Sequence, residues 1–319
     1  HANLGTYYYN IGSITEALQP LNKALRILGD DPDILHRRAL VLLKLGRAEE
    51  ALEDLSRALT GHPDPTQILI SQGHAYESLS RLDKAVESYT AAMVHTPESQ
   101  DALVRRGIAL VLRGDEKPAL SDLRKAIAVG SSEADAYFYL GIALSRTGEN
   151  EQAITAFSDA IARDPEHFNA LAHRGSMLLV MGNAKQALAD LSEAINVGSK
   201  EPLAYYNRGI TYSELGRFEQ AIQDFDAAIK HDQTDPLAYY NKGLAYSKLG
   251  QHDKAILAYD MAIELNPAST QAYHNRGLSY IYLGQHKRAI EDLDECITLD
   301  PQNADAYFLR GYSYDELGQ

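Results

Sequence analysis

The side chains that could do covalent chemistry are few, and their spacing does not set them to work. Cys296 is the only thiol, which rules out an internal disulfide and any cluster of cysteine ligands. It takes a place that alanine holds in eight similar stretches, at 24, 58, 92, 126, 160, 194, 228 and 262, so it reads as a small, buried, inert thiol. The 11 histidines are scattered without metal-ligand spacing. No His-Glu-x-x-His, Gly-x-Ser-x-Gly, Ser-x-x-Lys, Walker-type phosphate loop or Gly-x-Gly-x-x-Gly occurs. Neighbouring carboxylates such as Glu49–Glu50 and Asp292 with Asp294 read as solvated acidic faces of helices. No catalytic residue, metal or cofactor is therefore expected, and the chain reads as non-enzymatic.

Other side chains are well placed for recognition. Tyr206–Asn207, Tyr240–Asn241 and His274–Asn275 are adjacent pairs recurring every 34 residues, with Phe308 next in step. Tyrosine offers a large contact area and a hydroxyl. A primary amide both donates and accepts, so a ladder of them is expected to grip a peptide main chain.

Charge narrows the partner. The formal net charge of −14 argues against nucleic acid, which needs clustered Lys and Arg, and against an anionic membrane surface. No apolar run approaches the roughly 18–20 residues that span a bilayer. Together with the single cysteine and the absence of an Asn-x-Ser/Thr sequon, this fits a cytoplasmic chain. The sequence begins at His1 and stops just after a helical stretch, and is expected to be an excerpt of a longer protein.

The elements that position the tyrosines and asparagines repeat with the same clock. Gly73, Gly107, Gly141, Gly175, Gly209, Gly243, Gly277 and Gly311 are spaced by 34, with Ala39 and Gly5 before them. A second comb, from Gly12 and Gly46 to Gly318, lies seven residues further on, with Ser80 as its one exception. Apolar residues between and beyond the combs recur at helical spacing. The second glycine ends a first helix in a left-handed cap. Small residues from Ala17 to Ala289 and large ones at Leu21, Leu55, Tyr89, Leu123, Phe157, Leu191, Phe225, Tyr259 and Leu293 mark a second helix. Proline at 63, 97, 165, 267 or 301 stops it. One such hairpin cannot bury its own apolar faces, whereas stacked neighbours can.

Large residue at unit position 4, Gly at 8, Tyr at 11, Ala at 20, a large residue at 24, Ala at 27 and Pro at 32 resemble the tetratricopeptide repeat. The resemblance covers the whole chain: a partial unit at 1–31, complete units at 32–65, 66–99, 100–133, 134–167, 168–201, 202–235, 236–269 and 270–303, and a first helix at 304–319. It departs at Ala39, at Ser80 and at Pro20, which falls inside a second helix and is expected to kink it. The resemblance implies an all-α solenoid of antiparallel helix pairs, a right-handed α–α superhelix whose first helices line a concave groove. It also implies a protein-interaction scaffold binding an extended peptide or helix. The alternative is a substrate-recruiting arm of a larger enzyme, such as a glycosyltransferase. Self-association through the open ends of a solenoid is a further expectation.

On this reading unit positions 2, 5, 6, 9, 12 and 13 face the groove. The candidate peptide-binding residues are Tyr206, Asn207, Tyr240, Asn241, His274, Asn275, Tyr282, Phe308 and Tyr312. The asparagines are similar to the ladder in the tetratricopeptide arm of O-linked N-acetylglucosamine transferases. Position 5 never carries the lysine of the family's two-carboxylate clamp, so acidic chaperone tails are not expected ligands. In the N-terminal part, His36, Arg37 and Arg105 occupy the same places and read as surface charge.

One pattern is this chain's own. Arg at unit position 7 goes with Asp at position 23: Arg38 with Asp54, Arg106 with Asp122, Arg174 with Asp190, Arg208 with Asp224 and Arg276 with Asp292. Where position 7 is Leu4, Gln72, Leu140 or Lys242, position 23 is Pro20, Ser88, Ala156 or Ala258. An ion pair joining the two helices of a hairpin is predicted.

Overall fold

The computed structural model describes residues 1–60 and 62–319. Among the described residues every regular element is an α-helix. In chain order these are α1 (Ala2–Asn10), α2 (Ile14–Leu28), α3 (Pro32–Lys44), α4 (Ala48–Ala58), α5 (Thr66–Ser78), α6 (Leu82–His95), α7 (Gln100–Arg113), α8 (Glu116–Ala128), α9 (Ala134–Arg146) and α10 (Asn150–Arg163). They continue as α11 (Phe168–Val180), α12 (Ala184–Asn196), α13 (Pro202–Glu214), α14 (Phe218–His231), α15 (Pro236–Lys248), α16 (His252–Leu265), α17 (Thr270–Tyr282), α18 (His286–Leu299) and α19 (Ala304–Glu316). The chain divides into two compact units, His1–Pro165 and Glu166–Gln319.

Every hairpin but α3–α4 closes on a glycine. A Cβ added at Gly73 would lie 2.3 Å from the Tyr89 ring, one at Gly141 2.5 Å from Phe157, and one at Gly209 2.7 Å from Phe225. The missing side chain is the space into which the second helix lays its largest residue. Tyr89, Phe157, Phe225 and Tyr259 are fully buried as a result, each such burial contributing about 1.5–3 kcal/mol. Ala39 stands opposite Leu55 in the glycine's place, and both are fully buried.

The turns follow the second comb. Its glycines hold positive φ, and Ser80, at φ +56°, is the one non-glycine residue that does so among the described residues. Serine thus takes up the left-handed turn that glycine makes elsewhere at lower conformational cost. Several first helices begin on side-chain caps: Asp31, Ser99, Ser269 and Asn303 accept from the N–H groups of Ile34, Ala102, Ala272 and Ala306. The second helices α6, α10, α16 and α18 end two residues before Pro97, Pro165, Pro267 and Pro301. α2 runs on through Pro20 from Ile14 to Leu28.

The predicted ion pairs form in all five hairpins. In each, the arginine Nε and Nη2 donate to both oxygens of the aspartate at 2.6–2.8 Å. The five aspartates are buried, which makes the pairing obligatory: a desolvated carboxylate needs its cation. Arg38, Arg106 and Arg276 also reach back to the preceding hairpin, their Nη1 groups donating to Asn22 at 2.7 Å, Thr90 at 3.1 Å and Asp260 at 2.6 Å. In one of the hairpins without the pair, Ser88 donates to Gln72 Oε1 at 3.3 Å.

Within each unit the first helices touch one another: α3, α5, α7 and α9 in succession in the first, and α11, α13, α15, α17 and α19 in the second. No comparable contacts join successive second helices among the described residues. The first helices therefore form the tighter, inner row, and the side chains they turn away from their partners share one face.

Candidate binding face

In the unit Glu166–Gln319, the packing just described fixes the tyrosines first. The Tyr206 ring lies 6.0 Å from that of Phe225, and the Tyr240 ring 6.0 Å from that of Tyr259, centroid to centroid. Each thus rests on the residue that fills its own hairpin's glycine gap. Both tyrosines are half-buried, and burial holds their hydroxyls above the usual phenol range, so they remain protonated donors.

The asparagines then bridge hairpins. Asn241 Nδ2 donates to the Tyr206 hydroxyl at 3.0 Å and to Leu237 O at 2.9 Å. Asn275 Nδ2 repeats this one hairpin later, to the Tyr240 hydroxyl at 3.1 Å and Gln271 O at 2.9 Å. Asn207 Nδ2 donates to Ser176 Oγ at 2.6 Å, and that hydroxyl donates onward to Ala172 O at 2.8 Å. Asn241 and Asn275 use both amide hydrogens within the protein and have only their oxygens left.

The remaining candidates spread to two places. His274 stands in the row with Tyr206 and Tyr240 and has a buried Nδ1 without a hydrogen-bond partner. Phe308, on α19, is 74% exposed. Tyr282 stacks on His252 with ring centroids 4.5 Å apart, at the start of a second helix, and Tyr312 lies edge-on to His286 at 6.0 Å. Those two rings therefore sit at the hairpin ends, against second helices. Two residues that sequence reasoning passed over belong with the row: Leu203 and Leu237 at unit position 2, both exposed. The signal was present, since Pro-Leu-Ala-Tyr-Tyr-Asn occurs identically at 202–207 and 236–241.

The unit His1–Pro165 fills the same positions differently. His36 shares a 2.8 Å hydrogen bond with Ser71, and Arg37 donates to Thr6 Oγ1 at 2.7 Å. Arg105 lies between Asp101 and Glu133, at 3.3 and 3.2 Å. Beside it, Glu77 Oε1, His74 Nε2 and the Tyr89 hydroxyl are buried without a hydrogen bond of ordinary geometry. Burial pushes the Glu77 carboxyl up and the His74 imidazole down, each toward its neutral form. Arg105 is thus matched by carboxylates of its own unit, while Arg37 is held by a neutral hydroxyl.

Cys296 is fully buried, and burial raises its thiol pKa, which leaves it a poor nucleophile. Among the described residues, no group of three or more His, Cys, Asp or Glu is placed to hold a metal ion, and no helix is long and apolar enough to cross a membrane.

Comparison with known proteins agrees with this architecture. Models of the tetratricopeptide repeat match residues 236–269 and 270–303, with related repeat models at 211–250 and 140–204. The model of the Psidin N-terminal tetratricopeptide region matches 8–119. The chain belongs to the tetratricopeptide-repeat family, a class of helical-hairpin solenoids that serve as protein-interaction scaffolds. Among solved structures it is similar to YrrB, described as a tetratricopeptide protein with an unusual peptide-binding site, at 23% identity and a TM-score of 0.55 over 59% of this chain and 97% of that one. MamA is similar at 26% identity and a TM-score of 0.50, over 54% of this chain and 93% of that one. PilF of Pseudomonas aeruginosa shares 19% identity with a TM-score of 0.58, over 68% and 98%. No curated protein matches the chain in a sequence search.

Proposed function

We propose that the inner row of the second unit binds an extended, uncharged segment of a partner protein, the chain acting as a scaffold without chemistry of its own. The observation that carries this is the repeated cross-hairpin pair, Tyr206 with Asn241 and Tyr240 with Asn275. Two identical polar fixtures, one hairpin apart, flanked by exposed Leu203 and Leu237, suit a ligand that is itself repetitive. A peptide main chain is such a ligand, and the leucines and Phe308 would take its side chains. Positions 5 and 6 of this unit's first helices carry no Asp, Glu, Lys or Arg, so charge recognition is not the main contribution.

The test uses a peptide selected from a random display library against the full chain. Leu203→Asp with Leu237→Asp changes exposed side chains and should leave the helical content intact. Affinity for the selected peptide should fall at least about tenfold, or about 1.4 kcal/mol. Unchanged affinity would place the site elsewhere.

A further inference from the structure

We infer that Asn241 and Asn275 recognise a partner only as acceptors, so that the face selects segments with free main-chain N–H groups and rejects proline at the residues it reads. The inference rests on the proposed peptide site and adds a polarity to it. An asparagine amide has two hydrogens and one oxygen. At Asn241 the hydrogens go to the Tyr206 hydroxyl and Leu237 O, and at Asn275 to the Tyr240 hydroxyl and Gln271 O. The carbonyls of Leu237 and Gln271 can only accept, which fixes which end of each amide is nitrogen. Among the described residues nothing donates to either Oδ1, and neither oxygen is buried. What these side chains hold out is therefore an acceptor.

The tyrosines complete the polarity. Each hydroxyl oxygen already accepts from an asparagine, and its hydrogen has no acceptor among the described residues. Accepting one hydrogen bond strengthens a hydroxyl as a donor. Every cross-hairpin pair thus offers an N–H-seeking oxygen beside a carbonyl-seeking O–H. The edge of an extended main chain presents the complementary groups. A proline lacks the N–H that Asn241 or Asn275 would take, and a desolvated Oδ1 left without a donor is penalised.

An amide-to-ester scan of the library-selected peptide on the full chain tests this. Replacing a main-chain N–H by oxygen removes one donor and leaves the side chains in place. Two positions should lose at least roughly tenfold in affinity, and proline at the same two should be equally harmful. Repeating the scan on Tyr206→Phe frees an Asn241 hydrogen, so the ester penalty at one of the two positions should shrink. A flat ester scan with binding still sensitive to Leu203→Asp and Leu237→Asp would overturn the polarity and leave the site standing. Binding indifferent to those leucines would remove the site, and the polarity with it.

Discussion

The two units are built from the same hairpin and differ in what they place on its inner row. The first puts titratable groups there, among them His36, Arg37, His74, Glu77 and Arg105, and satisfies or buries most of them internally. The second puts tyrosine and asparagine there, ties them across hairpins, and leaves amide oxygens and leucines outward. The two units share their hairpin packing and differ in their inner rows, so the residues that set the hairpin are separate from those proposed to meet a partner. Glycine, the large residue opposite it and the Arg–Asp pair set the hairpin. Positions 2, 5 and 6 take no part in that frame and differ between the units.

The largest effect should come from the shared frame. Arg208→Ala leaves the buried Asp224 carboxylate without its cation and should cost about 3 kcal/mol in chemical denaturation. The double change Arg208→Leu with Asp224→Ala reproduces Leu140 and Ala156 of the first unit and should recover most of that. A double variant as unstable as the single one would show that the pair contributes more than charge satisfaction. Next come the glycine gaps. Gly141→Ala and Gly209→Ala press a Cβ into Phe157 and Phe225 and should each cost about 1–3 kcal/mol. Gly311→Ala, where the added Cβ meets nothing, should gain up to about 1 kcal/mol.

Two changes address the difference between the units. Asn207→Ala, Asn241→Ala and Asn275→Ala together should weaken a selected peptide at least about tenfold by calorimetry, and Arg37→Ala with Arg105→Ala less than about twofold. The smallest effect is the pH response at Glu77. Its folded pKa lies above the ordinary 4.5 because burial favours the neutral acid. The folded protein then holds a proton that the unfolded chain releases, so this contribution is complete below about 4.5 and is lost as pH rises through the folded value. Relative to Glu77→Gln, the wild type should therefore lose stability over that rise, measured by denaturation at a series of pH values. Arg105, Asp101 and Tyr89 face the carboxyl, while the depressed His74 acts in the opposite sense, losing stability as pH falls below 6.5, and is common to both proteins.

The hairpins were legible in the sequence because the same small-against-large pairing recurs with an unbroken period, and the Arg–Asp pairs because they covary across units. What could not be read is where a side chain sends its hydrogens. Asn241 looks like a two-way contact until Tyr206 and Leu237 are seen to occupy its N–H groups. Glu77 carries no signal in the sequence, since only the packing of α5 against α6 and α7 buries it beside Tyr89. Nor does the spacing of Tyr282 and Tyr312 show that their rings meet His252 and His286 at the starts of second helices.

The claim that the second unit's inner row takes the partner is tested most directly by amide hydrogen exchange of the full chain with and without a selected peptide. New protection should concentrate in α13, α15 and α17. Protection in α3, α5 and α7 instead, or bound peptide with none in α13, α15 and α17, would contradict it.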